Sequence, residues 1–298
     1  MADEPTGVRL RVRGRTVAEY VLDDPEVDPR WGRRPYLHPV RTLAGVVVTD
    51  TLPEDHRWHL GVSVAMQDVS GTNLWGGRTY VRGTGYTWRD DHGRILHDGW
   101  LPEPTAAPGG GFAERLCWRD PAGRILLTEE RRVVAAELPG RTDAWLLDFG
   151  YALTAPADRD IRLGSPATNG RPDGAGYGGF FWRVAPGRHR ALTASAEGED
   201  RANGSTEPWL ALVGEAGGRS YTLVFAGLAD GDHWFVRTGI YPGVCVALAF
   251  ARTLPIPAGT AVRRRHRIVV ADGELTRAEV ERLGMAAERV ADRPAPAT

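Results

Sequence analysis

FAERLCWRDPAGRILLTEERRVVAAELPGRTDAWLLDFGYALT, residues 112–154, is the stretch whose reading decides the fold. It holds three runs, FAERLCWRD, RILLTEERRVV and AWLLDFGYALT, in which apolar side chains recur at alternate positions. A period of two places successive side chains on opposite faces of a strand. The runs are separated by RDPAGR and ELPGR, polar connections with proline and glycine of the kind that join neighbouring antiparallel strands.

The same pattern spreads in both directions. VRLRVRG, VAEYVL and LGVSVAM precede the stretch, and FFWRV, YTLVFAG, VCVALAF and AVRRRHRIVVA follow it. DDHG, within RDDHGR, is expected to be a hairpin connection like DPAG. With no run of helices between the strands, the chain is expected to be all-β and not α/β. Fifteen or more strands in one unit predict a large two-sheet β-sandwich with a polar site on one curved face. It is expected to be a single domain over residues 1–290, with 291–298 a frayed tail. One helix is predicted in ELTRAEVERLG. Thr276 and Glu279 have capping-box spacing, Leu275, Val280 and Leu283 form an apolar stripe, and Gly284 is the expected stop.

A net charge of −1 argues against a broad nucleic-acid surface. All 37 basic residues are arginine, so no side-chain amine is available for Schiff-base chemistry. Cys117 and Cys245 are far apart and are expected to be buried thiols. MADEPTGVRLRVRG has no apolar signal core, and no run approaches the roughly 18 apolar residues of a membrane span. A cytoplasmic protein is the expectation. No G-x-S-x-G, P-loop, H-E-x-x-H or EF-hand pattern is present.

Four segments could carry chemistry. Residues 33–61, RRPYLHPVRTLAGVVVTDTLPEDHRWHLG, bring together Arg34, Tyr36, His38, Arg41, Asp55, His56, Arg57 and His59. Three readings stay open here: a divalent metal held by His38, His56 and His59, a metal-free polar site, or histidines bonded to loop backbone. His59 leads directly into an apolar strand, which favours His56 as ligand or acid. In DVSGTNLWGGR (68–78), Asn73 and Trp75 flank a turn, and Gly76 and Gly77 leave room for a close approach. An indole face beside amide and guanidinium donors suits a sugar ring, though a core tryptophan is the equal alternative. PDGAGYGGFFWR (172–183) lacks the strand-then-helix context of a dinucleotide loop. Its glycines are expected to let Tyr177 and Arg183 project into a site. DGDHWFVRTGIYPGV (230–244) supplies His233, Trp234, Arg237 and Tyr241 around a strand.

A base must come from the carboxylates. Asp55 adjoins the histidines, Glu129 and Glu130 point to opposite faces of one strand, and Asp148 in WLLDFG needs a partner if buried. RRRHR (263–267) is read mainly as a solvated face.

Taken together, RPYLHPVRTLAGVVVTD, PEDHRWHLGV, NLWGG, GYGGFFWR and HWFVRTGIYPGV resemble, in order over residues 30–272, a bacterial family labelled "methane oxygenase PmoA" domain proteins. A true methane monooxygenase subunit is an integral membrane protein, and this chain has no such span. The resemblance implies sugar metabolism instead, because relatives are often encoded near sugar dehydrogenases of the glucose–fructose oxidoreductase type. Length and strand pattern are also similar to the galactose-mutarotase supersandwich. The motif residues it marks are His38, Arg41, His56, His59, Asn73, Trp75, Tyr177, Arg183, His233 and Arg237.

The expectation is a carbohydrate-active enzyme of epimerase/mutarotase or lyase type, acting on a sugar or keto-sugar. His56 or His59 would be the acid and Asp55 or Glu129 the base. Arg41, Asn73 and Trp75 would hold and stack the ring, with Tyr177, Arg183, His233 and Arg237 as further contacts. Two alternatives stand beside it: a carbohydrate-binding accessory subunit of a sugar oxidoreductase, and a biosynthetic tailoring protein.

Overall fold

The computed structural model describes residues 7–102 and 110–291; the expected frayed tail lies, but for Ala291, outside them. Two antiparallel sheets dominate. The seven-stranded sheet runs β1 (Gly7–Val12), β2 (Arg15–Val21), β3 (Tyr36–Val40), β4 (Val62–Ala65), β13 (Gly179–Arg183), β18 (Gly243–Ala247) and β17 (His233–Arg237). The eight-stranded sheet runs β14 (His189–Thr193), β15 (Trp209–Ala216), β16 (Arg219–Ala226), β20 (Ala261–Asp272), β11 (Ala144–Thr154), β10 (Ile125–Glu137), β9 (Gly111–Arg119) and β8 (Arg94–Trp100). Smaller sheets are β19 (Leu254–Ile256), β12 (Ile161–Gly164) and β5 (Asp68–Val69), and the hairpin β6 (Thr79–Val81) with β7 (Gly85–Thr87). The chain is thus an all-β two-sheet sandwich.

Residues 112–154 fold into the consecutive ladder β9–β10–β11, with the expected turns between the strands. DDHG differs. It links β7 to β8, which belong to different sheets, and so closes no hairpin.

Alternation fills the space between the sheets. Phe180 of β13 meets Phe149 of β11 with ring centroids 5.1 Å apart, Trp182 meets Phe225 of β16 at 5.6 Å, and Tyr20 meets Phe112 at 4.4 Å. Burying such rings from water is the main favourable term in folding.

Glu129 and Glu130 do point to opposite faces: Glu130 is exposed and Glu129 fully buried. Glu129 is satisfied there by Arg131 at 2.7 and 3.0 Å and by the Trp118 indole N–H at 2.8 Å. Both cysteines are buried and unpaired. RRRHR is less solvated than expected, because Arg264 pairs with Asp232 and Arg265 and Arg267 with Asp148. That pairing also supplies the partner Asp148 requires.

Helices are few. α1 is the single turn Glu199–Ala202 and α2 spans Arg277–Ala291. The capping box forms: Glu279 Oε2 accepts from the Thr276 N–H at 3.0 Å, and the Glu279 N–H donates to Thr276 Oγ1 at 3.3 Å. Gly284 does not end the helix. It lies against Trp209, where a β-carbon would come within 2.5 Å of the indole Cγ. Leu275 and Val280 join Trp209, Val224 and Val269 in a second core that covers the outer face of the eight-stranded sheet. Among the described residues, no helix is long and apolar enough to cross a membrane.

Candidate functional site

The outer face of the seven-stranded sheet carries the site. Alternation sends Trp182, Val244, Val246 and Trp234 inward. Phe181, Cys245 and Phe235 face outward, and the registers Ser63↔Phe181, Phe181↔Cys245 and Cys245↔Phe235 set them in one row across four strands. The connections above this floor enclose a cavity of about 500 Å³. Its walls include Asp55, His56, Trp58 and His59 from the β3–β4 connection, and Trp75 and Arg78 from the segment after β5. Tyr86 and Trp88, Arg171 and Tyr177, and Arg237 and Tyr241 complete it from three further segments.

The tight turns of DHRWHLG bring its two histidines together. The His59 N–H donates to the His56 carbonyl at 2.8 Å, and the rings stack with centroids 4.8 Å apart at 21°. His56 Nδ1 lies 2.7 Å from Asp55 Oδ2. A carboxylate only accepts, so Nδ1 donates to it, and Nε2 is the ring nitrogen left without that partner. Burial pushes Asp55 upward, yet the His56 hydrogen bond and charge outweigh it and hold the carboxyl below its usual value. His59 is buried among Trp75, Phe181 and Tyr241. Burial, reinforced by the positive charges of His56, Arg183 and Arg34, lowers its pKa well below the usual imidazole value. His59 is therefore held in its neutral form.

The aromatic wall is continuous, with Trp75 4.8 Å from Tyr177 and 4.8 Å from Phe181. Tyr86 and Tyr177 share a hydroxyl–hydroxyl bond of 2.8 Å, and burial raises the pKa of both. Arg34 braces the wall from behind. It is buried and donates to the carbonyls of Trp58 at 3.1 Å and Trp75 at 2.9 Å. With no carboxylate beside it among the described residues, burial, helped by the charge of Arg131, pulls the guanidinium down to about 9. Gly76 has a φ of 98°, and a β-carbon there would collide with the Trp31–Gly32 backbone. At Gly77 it would stand 2.5 Å from the Trp58 ring. The glycine pair after Trp75 makes room for the protein's own backbone and indole.

A family model described as "Family of unknown function (DUF6807)" matches residues 7–284. The chain belongs to this family. No curated protein matches it.

Within this family member, the structure brings together Asp55, His56, His59, Trp75, Tyr177 and Arg237, six of the residues expected from sequence. Arg183 lies just beneath them, its guanidinium 3.4 Å from His59 Nδ1 and 3.4 Å from Asp50. The other five do not line the cavity. His38 bonds Thr49 Oγ1 at 3.0 Å, Arg41 pairs with Glu19 at 3.1 Å, and Glu129 stays in the inter-sheet core. Asn73 organises the turn instead, with Oδ1 accepting from the Trp75 and Gly76 N–H groups. His233 stacks on Phe250. The trio of the metal reading, one of the three left open, is not assembled, since His38 faces another environment. Among the described residues no three His, Cys, Asp or Glu side chains are grouped to hold a metal ion.

Sequence reasoning passed over Arg78, Tyr86, Trp88 and Arg171. One signal was available, because Tyr86 and Trp88 in GYTWRD are two apart and share one side of an extended segment. Arg171 carries no local signal. It reaches the cavity through the tertiary course of residues 165–178.

Proposed function

We propose that this protein is a carbohydrate-active enzyme of epimerase/mutarotase or lyase type, in which His56 moves the proton. The observation that carries this reading is the Asp55–His56 pair at 2.7 Å in the wall of an aromatic cavity. Asp55 orients the imidazole and stabilises its charged form, which is the task of a carboxylate beside a general base. His56 Nε2 takes a proton from a substrate carbon next to a carbonyl or carboxyl group, whose oxygen receives the electron pair. In epimerisation a water molecule gives a proton to the opposite face of that carbon, and the imidazolium returns its own proton to the hydroxide so formed. In elimination the pair forms a double bond as a β-oxygen leaves, and the imidazolium protonates that oxygen.

Neutral His59 favours this cycle, because a second cation stacked at 4.8 Å would oppose protonation of His56. Trp75 and the tyrosines offer faces for sugar C–H groups and hydroxyl donors for sugar oxygens. The resemblance to PmoA-labelled proteins encoded near sugar dehydrogenases supports a carbohydrate. An oxidoreductase of that pathway would supply a keto-sugar whose carbonyl acidifies the neighbouring C–H.

The test is hydrogen exchange in D2O, followed by proton NMR over a panel of hexoses, keto-hexoses and hexuronates. The expected result is deuterium incorporation at one carbon, with the rate falling about 100-fold or more in His56→Gln. If a panel sugar binds but neither exchanges nor undergoes elimination or mutarotation, the protein is a carbohydrate-binding accessory subunit instead.

A further inference from the structure

The charge of the cavity goes beyond what acid–base chemistry on a neutral sugar requires. Arg78, Arg171 and Arg237 line it, while Asp55, already engaged by His56, is the one carboxylate among the described residues of its wall. Arg237 has a distant partner, Glu199, at 3.8 Å. Arg171 donates to the Tyr86 hydroxyl and lies over that ring at 4.8 Å. Arg78 lies 6.0 Å from the Trp88 ring centre. Among the described residues, neither Arg78 nor Arg171 has a carboxylate within ion-pair distance. Two more guanidiniums, Arg34 and Arg183, are buried behind the wall. Cations converging on a cleft with low-dielectric walls focus a positive potential in it. A second feature points the same way: the Trp75 indole N–H is buried in the wall with no acceptor among the described residues. A buried donor left unpaired is costly, and a ligand oxygen would satisfy it.

The geometry points to an anionic ligand, a sugar acid whose carboxylate is seated by Arg171 and Arg78 while its ring stacks on the aromatic wall. This rests on the acid–base reading above and deepens it. Guanidinium forks match carboxylates bidentately. A carboxylate neutralised in this way also acidifies the C–H beside it, which is the bond His56 would break. A phosphate would fit the charge but would acidify no neighbouring carbon in the same manner.

The experiment is calorimetric titration of the purified protein with D-glucuronate and D-galacturonate, against D-glucose and D-galactose. D-Glucose 6-phosphate and 4-hydroxybenzoate are the controls. The expected result is that a hexuronate binds about tenfold or more tightly than its neutral parent, as charge-assisted bonds imply. The preference should shrink with added salt and collapse in both Arg171→Gln and Arg78→Gln; circular dichroism establishes that each variant is folded. A neutral hexose, or the sugar phosphate, binding as well as the hexuronates overturns the sugar-acid proposal and leaves the carbohydrate reading standing. Binding of 4-hydroxybenzoate with no sugar bound overturns the carbohydrate reading and with it the sugar acid, leaving only an anion pocket. No binding of any probe overturns both.

Discussion

The Arg34 guanidinium donates to the carbonyls of Gly32, Trp58 and Trp75 and to Ser63 Oγ, yet among the described residues it has no carboxylate partner. It ties the two tryptophan-bearing segments to β4, so its loss should loosen the pocket wall as well as the fold. Lysine keeps the charge but not the planar fork that reaches four acceptors. Arg34→Lys is expected to cost about 2–4 kcal/mol in urea denaturation and to weaken ligand binding with it. Unchanged stability would show that Arg34 is no brace. At this scale the sequence was only partly legible. DHRWHLG exposed the histidine pair and its carboxylate because all three lie within one turn. Asn73, one of the candidate ring contacts, instead spends its side chain on the turn beneath Trp75.

α2 shows how an element is governed by what it packs on. Its start was legible, because the capping box is a local device whose partners are three residues apart. Its continuation past Gly284 was not, because that glycine serves the approach to Trp209 and not chain termination. In an isolated helix, Gly→Ala stabilises by roughly 1 kcal/mol. Here the added methyl meets a buried indole, so Gly284→Ala is expected to destabilise by about 1–3 kcal/mol. A rise in melting temperature would show that α2 can move off the sheet. The β9–β10–β11 ladder was legible for the same reason as the cap, since its pairings join neighbours in sequence through short turns. DDHG was misjudged because a glycine turn between strands does not say that those strands pair.

Across the whole molecule, several histidines are packed where their charged form is disfavoured. Burial lowers His266 to about 3 and His189 to about 4, and it also lowers His59 and His38. The unfolded chain binds these protons near pH 6.5, whereas the fold does not until well below it. Folding stability should therefore fall as pH drops from about 6.5 toward 4, with His266 alone contributing about 2 kcal/mol of that loss at pH 5. Thermal melts at pH 7.5 and 5 check this, and His266→Gln should narrow the difference between them. An equal difference in the variant would place the acid sensitivity elsewhere.

The sequence by itself determined the all-β sandwich, the helix start, the two buried thiols and the Asp55–His56–His59 cluster. Each of these rests on periodicity, or on partners only a few residues apart. The tertiary structure alone decided that Glu129 and His38 stand away from the cluster, and that Arg78 and Arg171 stand beside it. Those placements depend on which strands lie next to one another and which connections cross the outer face. Contacts between residues a hundred positions apart leave no periodic trace in either segment.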